Sequence, residues 1–278
     1  MVKIIYVICF FAAAFFAYKF NIWLGVAVSI AALVYGITVF LPAWWSLQAQ
    51  RAFGEGDFKK AEKLFKKSVD TGKASMSVRI SYAYVLMRTG KFNEAETILD
   101  VIIRTKNPKL EKDRRTARQQ RCMVYYKQGR LDEALEDAME MFNDGYKNTQ
   151  LYGMIGYFKL IGGDNLADAT KFCEEAYDYN SDDRDITDNL SLCYYENGDY
   201  EKAEELSDKI IKEAPKFVEA YYHGAQIALK RGKYKKAQEL MSHIDDCRWS
   251  AMTTVSSEEA EELNKQIERK LRSGIRYE

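Results

Sequence analysis

The chain of 278 residues is poor in proline, in histidine and in net charge. It has three prolines and two histidines, and 41 Lys and Arg offset 41 Asp and Glu. Scarce proline, with no Gly/Ser-rich linker, suits a mostly helical protein. The balanced charge argues against a whole-chain electrostatic partner such as a nucleic acid, which requires a basic face. His223 and His243 form no Ser-His-Asp or Cys-His arrangement by spacing. The five cysteines, Cys9, Cys122, Cys173, Cys193 and Cys247, include no C-x-x-C pair, so a zinc ribbon and a dithiol redox motif are both excluded. Four of them fall in helical patterns, where a free Cys serves as a small apolar residue. A reducing compartment follows as the expectation. The acidic run from Ser181 to Asp185 lacks the glycine and spacing of a calcium loop. No phosphate-binding Gly loop is present. The sequence therefore advertises no enzyme activity, no cofactor, no metal site and no small-molecule substrate.

What the chain does have at its start is hydrophobic length. Residues 4–18, IIYVICFFAAAFFAY, carry no charge, and neither does IWLGVAVSIAALVYGITVFL from Ile22 to Leu41. A bilayer core about 30 Å thick needs roughly 20 helical residues, which the second segment supplies. The first reaches that length if Lys3 and Lys19 snorkel to the interfaces. Trp44 and Trp45 follow the second segment, where aromatic rings prefer the headgroup level. These features predict a membrane anchor over residues 1–45, with transmembrane helices at about 4–20 and 22–41. A cleaved signal peptide is the competing reading of the first segment, with Met-Val-Lys as its n-region and Ala12 to Ala14 as small residues. Both place the remainder of the chain inside, as does the excess of Arg51, Lys59, Lys60 and Lys63 over the single Lys19 of the turn. The expected location is the plasma membrane, with the C-terminal part in the cytoplasm.

Beyond residue 42 the chain repeats a phrase. GEGDFKKAEKL at 54–64 returns as ENGDYEKAEEL at 196–206 and as KRGKYKKAQEL at 230–240. Aligned on its alanine, the phrase recurs at Ala61, Ala95, Ala134, Ala169, Ala203 and Ala237, with separations of 34, 39, 35, 34 and 34 residues. Such a period is that of a helix-turn-helix solenoid unit. The glycine closes one helix with φ > 0, the alanine lets the next helix approach, and the aromatic fills the wedge between them. The fifth unit shows the full pattern in Leu190, Ser191, Tyr194, Gly198, Tyr200, Ala203 and Pro215.

On these residues the chain resembles the tetratricopeptide repeat family, with six units over 42–249 and a polar C-terminal capping helix over 250–278. The array departs from the family pattern by five extra residues within Lys106 to Arg115, a basic stretch. It is read as a solvated loop and helix start, or as a patch for acidic partners or anionic headgroups. A capping-box signal at Ser256 and Glu259 opens the terminal helix. The expected fold is thus all-α: an N-terminal transmembrane hairpin, then an α-α superhelical solenoid, then its cap.

The resemblance implies that the first helix of each unit lines a concave groove. Its register points to Tyr84, Met87 and Arg88 in the second unit and to Met123, Tyr126 and Lys127 in the third. It adds Tyr157 in the fourth, Asp188, Leu192 and Tyr195 in the fifth, and Tyr222 and Gln226 in the sixth. The competing reading packs several of these rings between helices. The family's clamp for a C-terminal carboxylate is absent, since the corresponding sites include Ser46, Ile80, Gln119, Gly153, Asp188 and Tyr222. The function implied is a membrane-anchored scaffold that recruits a cytoplasmic protein or peptide segment. An extracytoplasmic assembly or chaperone factor of inverted topology, or a regulatory subunit of a membrane enzyme complex, are the alternatives.

Overall fold

The computed structural model describes residues 15–163 and 165–274, all of them in helices, turns or loops and none in a strand. Two compact units divide the chain, residues 1–85 and 86–278.

In the first unit residues 15–20 are helical, and Asn21 interrupts the helix with extended backbone. The Asn21 side chain accepts from the N–H of Trp23 at 2.8 Å and so caps α1, Ile22–Gly54. Tyr18 lies against Gly25, where an added Cβ would sit 2.3 Å from its ring, and its hydroxyl is 3.3 Å from that of Ser29. Residues seven and eleven apart in a continuous helix lie roughly 10 and 16 Å apart, so the chain folds back at Asn21. The part of the first expected span before residue 15 lies outside the described residues. Among the described residues one helix, α1, is long and apolar enough to cross a membrane. It does not end where the apolar run ends. It continues through Pro42 to Gly54 and there packs on α2, Phe58–Asp70. Ser68 of α2 donates to the Pro42 carbonyl at 2.8 Å, so the hairpin closes at the edge of the apolar stretch. Most of α3, Met76–Arg88, also belongs to this unit.

The second unit holds the end of α3 and then α4 Phe92–Ile103, α5 Glu111–Lys127, α6 Leu131–Asn143, α7 Thr149–Gly162 and α8 Leu166–Tyr179. It continues with α9 Arg184–Glu196, α10 Tyr200–Ile211, α11 Val218–Lys230, α12 Tyr234–Ser242 and α13 Ser257–Gly274. From α4 onward each helix packs on the next, in the manner of stacked helical hairpins. The repeated phrase builds them in both units. Its alanines, Ala61, Ala95, Ala134, Ala169, Ala203 and Ala237, are all at 0% exposure. No larger side chain fits at such a helix crossing without pushing the backbones apart. In the fifth repeat Ser191 adds a hydrogen bond at the crossing, 2.8 Å to the Ala203 carbonyl. Before each alanine the turn glycine is left-handed, as with Gly198 at φ 80°. Asp57, Asn165 and Asp199 then cap the following helix by accepting from the N–H three residues on.

The five-residue insertion becomes a short 3₁₀ turn, Pro108–Leu110, and a longer α5 of 17 residues. Its arginines and those that follow are paired with acidic residues. Arg114 and Arg115 pair with Glu111, Arg118 with Asp137 and Glu140, and Arg121 with Asp100 and Asp137 at 3.0 Å each. This part of the basic stretch is internally neutralised glue between α4, α5 and α6. At the other end Ser256 and Glu259 exchange backbone hydrogen bonds, 2.7 Å from the Ser256 N–H and 3.1 Å from the Glu259 N–H. That capping box starts α13. Ala260, Leu263 and Ile267 of α13 close the last apolar face together with Val218, Tyr221 and Leu240.

Candidate functional site

The first helices of the repeats carry the residues that the register points to, and the two compact units hold them separately. In the first unit Tyr84 is half-buried and meets Phe53 edge-on, with ring centroids 5.7 Å apart. In the second unit Met87 is buried at 1% exposure, so its side chain is core. Asp188 is also interior, and its carboxylate lies 2.8 Å from Nδ1 of His223. Met123 packs against the core around Tyr152 and Phe158. Leu192 and Tyr195 are half-buried, and Tyr195 rests on Tyr200 at 5.6 Å. The Gln226 amide donates to the Tyr222 hydroxyl at 3.2 Å.

Tyr126, Lys127 and Tyr157 gather at one place. The Tyr126 and Tyr157 hydroxyls are 3.0 Å apart, and their rings cross edge-to-face at 5.5 Å. Burial raises the Tyr157 phenol, helped by the Tyr126 hydroxyl, and the Thr254 hydroxyl opposes it. Lys127 stands over the Tyr126 ring at 5.4 Å. Burial lowers the Lys127 ammonium, against the pull of the Glu219 carboxylate.

The segment after the last hairpin meets this cluster. The Ala251 N–H donates to the Arg88 carbonyl at 3.3 Å. Lys127 Nζ donates to the Thr253 carbonyl at 2.8 Å. Glu219 Oε1 accepts from the Thr254 N–H at 2.7 Å and from the Thr254 hydroxyl at 3.2 Å. These three partners sit on first helices, α3, α5 and α11. The protein's own segment after the last hairpin therefore lies against first helices of the second unit.

Two participants escape sequence reasoning. Glu219 reads as an ordinary acidic residue in a helix's first turn, where it suits the dipole. His223 reads as a lone helical histidine. In the structure burial disfavours its charge, yet the Asp188 carboxylate and its hydrogen bond win and hold the imidazole above its usual value, with Glu219 and Glu259 adding to them. Only an uncharged run from Trp249 to Ser257, between Arg248 and Glu258, hints at the segment that lies against these helices.

Repeated helical hairpins that pack one on the next define the solenoid class. The sequence model of the tetratricopeptide repeat family matches residues 52–108, and that of anaphase-promoting complex, cyclosome, subunit 3 matches residues 163–244. None of the curated proteins matches the chain. Among solved structures, a tetratricopeptide repeat protein from Parabacteroides merdae is 15% identical, with TM-score 0.53, over 82% of this chain and 98% of its own. The Cut9–Hcn1 hetero-tetramer of APC/C is 13% identical, with TM-score 0.62, over 85% of this chain and 46% of that one. The pilF protein of Pseudomonas aeruginosa is 13% identical, with TM-score 0.50, over 82% and 99%. These likenesses support the tetratricopeptide repeat family and its fold. Proteins of this family mediate protein–protein interaction and are generally non-enzymatic scaffolds.

Proposed function

We propose that this chain is a membrane-anchored scaffold that holds a protein segment at the cytoplasmic face through the concave side of its repeats. The observation that carries the anchoring is the continuity of α1. Its N-terminal part exposes Ile22, Trp23, Leu24, Ile30, Leu33, Val34, Tyr35, Ile37 and Phe40 on all sides. A face of that kind is covered by lipid or by protein, not by water. Ile22 to Leu41 spans about 30 Å as a helix, the thickness of a bilayer core. The same helix then becomes the first helix of the first repeat, so the anchor and the scaffold share one rigid element. The fold-back of Tyr18 onto Gly25 and Ser29 supports a helical hairpin as the form of the anchor.

Tethering raises the effective concentration of a membrane-proximal partner, and the groove supplies the recognition. Topology is tested with a single added cysteine at the C-terminus and a membrane-impermeant maleimide, using oriented vesicles. Cys122, Cys173 and Cys193 are buried, so replacing Cys9 and Cys247 clears the background. Labelling from the cytoplasmic side is expected. Labelling from the opposite side establishes the inverted topology and removes this reading. Photoreactive residues at Tyr126 and Tyr195 test the concave side, with the convex side as control.

A further inference from the structure

The segment that lies against these first helices is a tight turn, in which the Thr253 N–H donates to the Ser250 carbonyl at 3.0 Å and the Ser250 N–H to the Thr253 hydroxyl at 3.1 Å. The Thr253–Thr254 peptide group is held at both of its polar ends, the carbonyl by Lys127 and the N–H by Glu219. Ala251 contributes a third backbone contact, to the Arg88 carbonyl, and the Thr254 hydroxyl is the one side-chain group that Glu219 also takes. Three of the four contacts thus read the main chain and one reads a hydroxyl. No residue from Ser250 to Thr254 is fully buried, whereas the next, Val255, is, and it belongs to the core that anchors α13. The segment is therefore pinned at its ends by elements that pack without it.

We propose that Ser250–Thr254 is a resident stand-in for the partner, and that the partner is an uncharged, turn-forming segment with a Ser or Thr hydroxyl which takes the same peptide clamp by displacing it. This rests on the concave side being the binding surface. The partner's chemistry follows from the contacts. Lys127 and Glu219 offer one donor and one acceptor at the spacing of a single peptide group, and a bound chain needs no charge to satisfy them. Small side chains match Ala251 and the two threonines. Because the resident segment is covalently attached, it competes at an effective concentration in the millimolar range, and a partner in trans binds weakly until it is released.

The test uses the full chain in detergent micelles and a fluorescent synthetic peptide of residues 248–257. Thr254→Pro deletes the N–H that Glu219 accepts. A second variant, Met252→Gly with Thr253→Gly and Thr254→Gly, loosens the segment without proline. Both variants are expected to bind the peptide at least about tenfold more tightly than the unaltered protein, and adding Lys127→Met is expected to abolish the gain. Equal affinity across all three proteins overturns the proposal, as does no binding by a variant that keeps full helicity. If both variants lose helicity, hydrogen exchange on the unaltered chain decides. The Ala251 and Thr254 amides are then expected to exchange at least about tenfold faster than those of Ala260 to Ile267, and equal protection overturns the displacement. A failure of the scaffold reading shows up elsewhere, as empty crosslinking from Tyr126 in membranes, and leaves the peptide result standing.

Discussion

Lys127 and Glu219 hold opposite ends of one peptide group. They come from α5 and α11, three repeats apart, and meet at the Thr253 carbonyl and the Thr254 N–H, at 2.8 and 2.7 Å. The described residues contain no cis peptide bond, so those two groups point to opposite sides of the chain. The pair thus grips the segment from both flanks.

This shared target makes the two residues energetically coupled. Each charge-assisted bond is half-exposed, so Lys127→Met and Glu219→Gln should each cost about 1–2 kcal/mol. Once one grip is lost the segment is loosened for the other. The double variant should therefore cost less than the sum, by about 0.5–1 kcal/mol. Urea unfolding of the four proteins measures it, and strict additivity would mean that the two bonds act independently.

The His223–Asp188 pair gives stability a pH dependence. The imidazole is held above its ordinary value in the folded chain, so folding favours the protonated ring. The contribution is full below the unfolded value of about 6.5 and fades as pH rises through the higher folded value. The stability lost in His223→Gln should be larger at about pH 5.5 than at about pH 9. A gap that widens toward high pH would show that the ring is buried neutral.

Asp137 serves two guanidiniums at once, Arg118 and Arg121, and the Cys122 thiol lies 3.6 Å from it. Removing its charge leaves Arg118 with Glu140 alone and Arg121 with Asp100 alone, in a half-buried place. Asp137→Asn should cost about 2–3 kcal/mol, read as a lowered urea midpoint, and Asp137→Ala more. Burial and the same carboxylate push the Cys122 thiol up, so it should resist thiol reagents at neutral pH in the folded protein.

The left-handed positions give two opposite predictions. Gly198 has φ 80°, and a Cβ there is strained, so Gly198→Ala should cost about 1 kcal/mol. Ala214, just before Pro215, has φ 47° and bears that strain already. Its counterparts between other repeats are Gly72 and Gly145, both left-handed. Ala214→Gly should be neutral or stabilising by up to about 1 kcal/mol, since relief of the strain offsets the extra freedom of the unfolded glycine. Thermal melts of both variants decide it.

The scaffold was legible because its rules are local. A glycine that must be left-handed and an alanine at a helix crossing state their requirement at one position, and the repeat states it six times; a capping Asp or Asn repeats it in three units. The surroundings of the first-helix residues were legible only in part. Tyr126, Lys127 and Tyr157 fall where the register points, but a rotation of a fraction of a turn moves a side chain from the open face to the interior. Met87 and Asp188 are interior for that reason, and Asp188 meets a histidine 35 residues later. The arginines after Lys106 read as a basic patch because their acidic partners, Asp100, Asp137 and Glu140, lie on neighbouring helices.

The sequence by itself determined the hairpin, its period, its turns and the apolar helix that leads into it, because backbone strain and close packing act within a few residues. Tertiary structure decided what faces whom across the repeats. The sum of many small rotations between stacked hairpins brings Glu219 opposite Lys127 and lays Thr253 and Thr254 between them, and no single repeat encodes that sum.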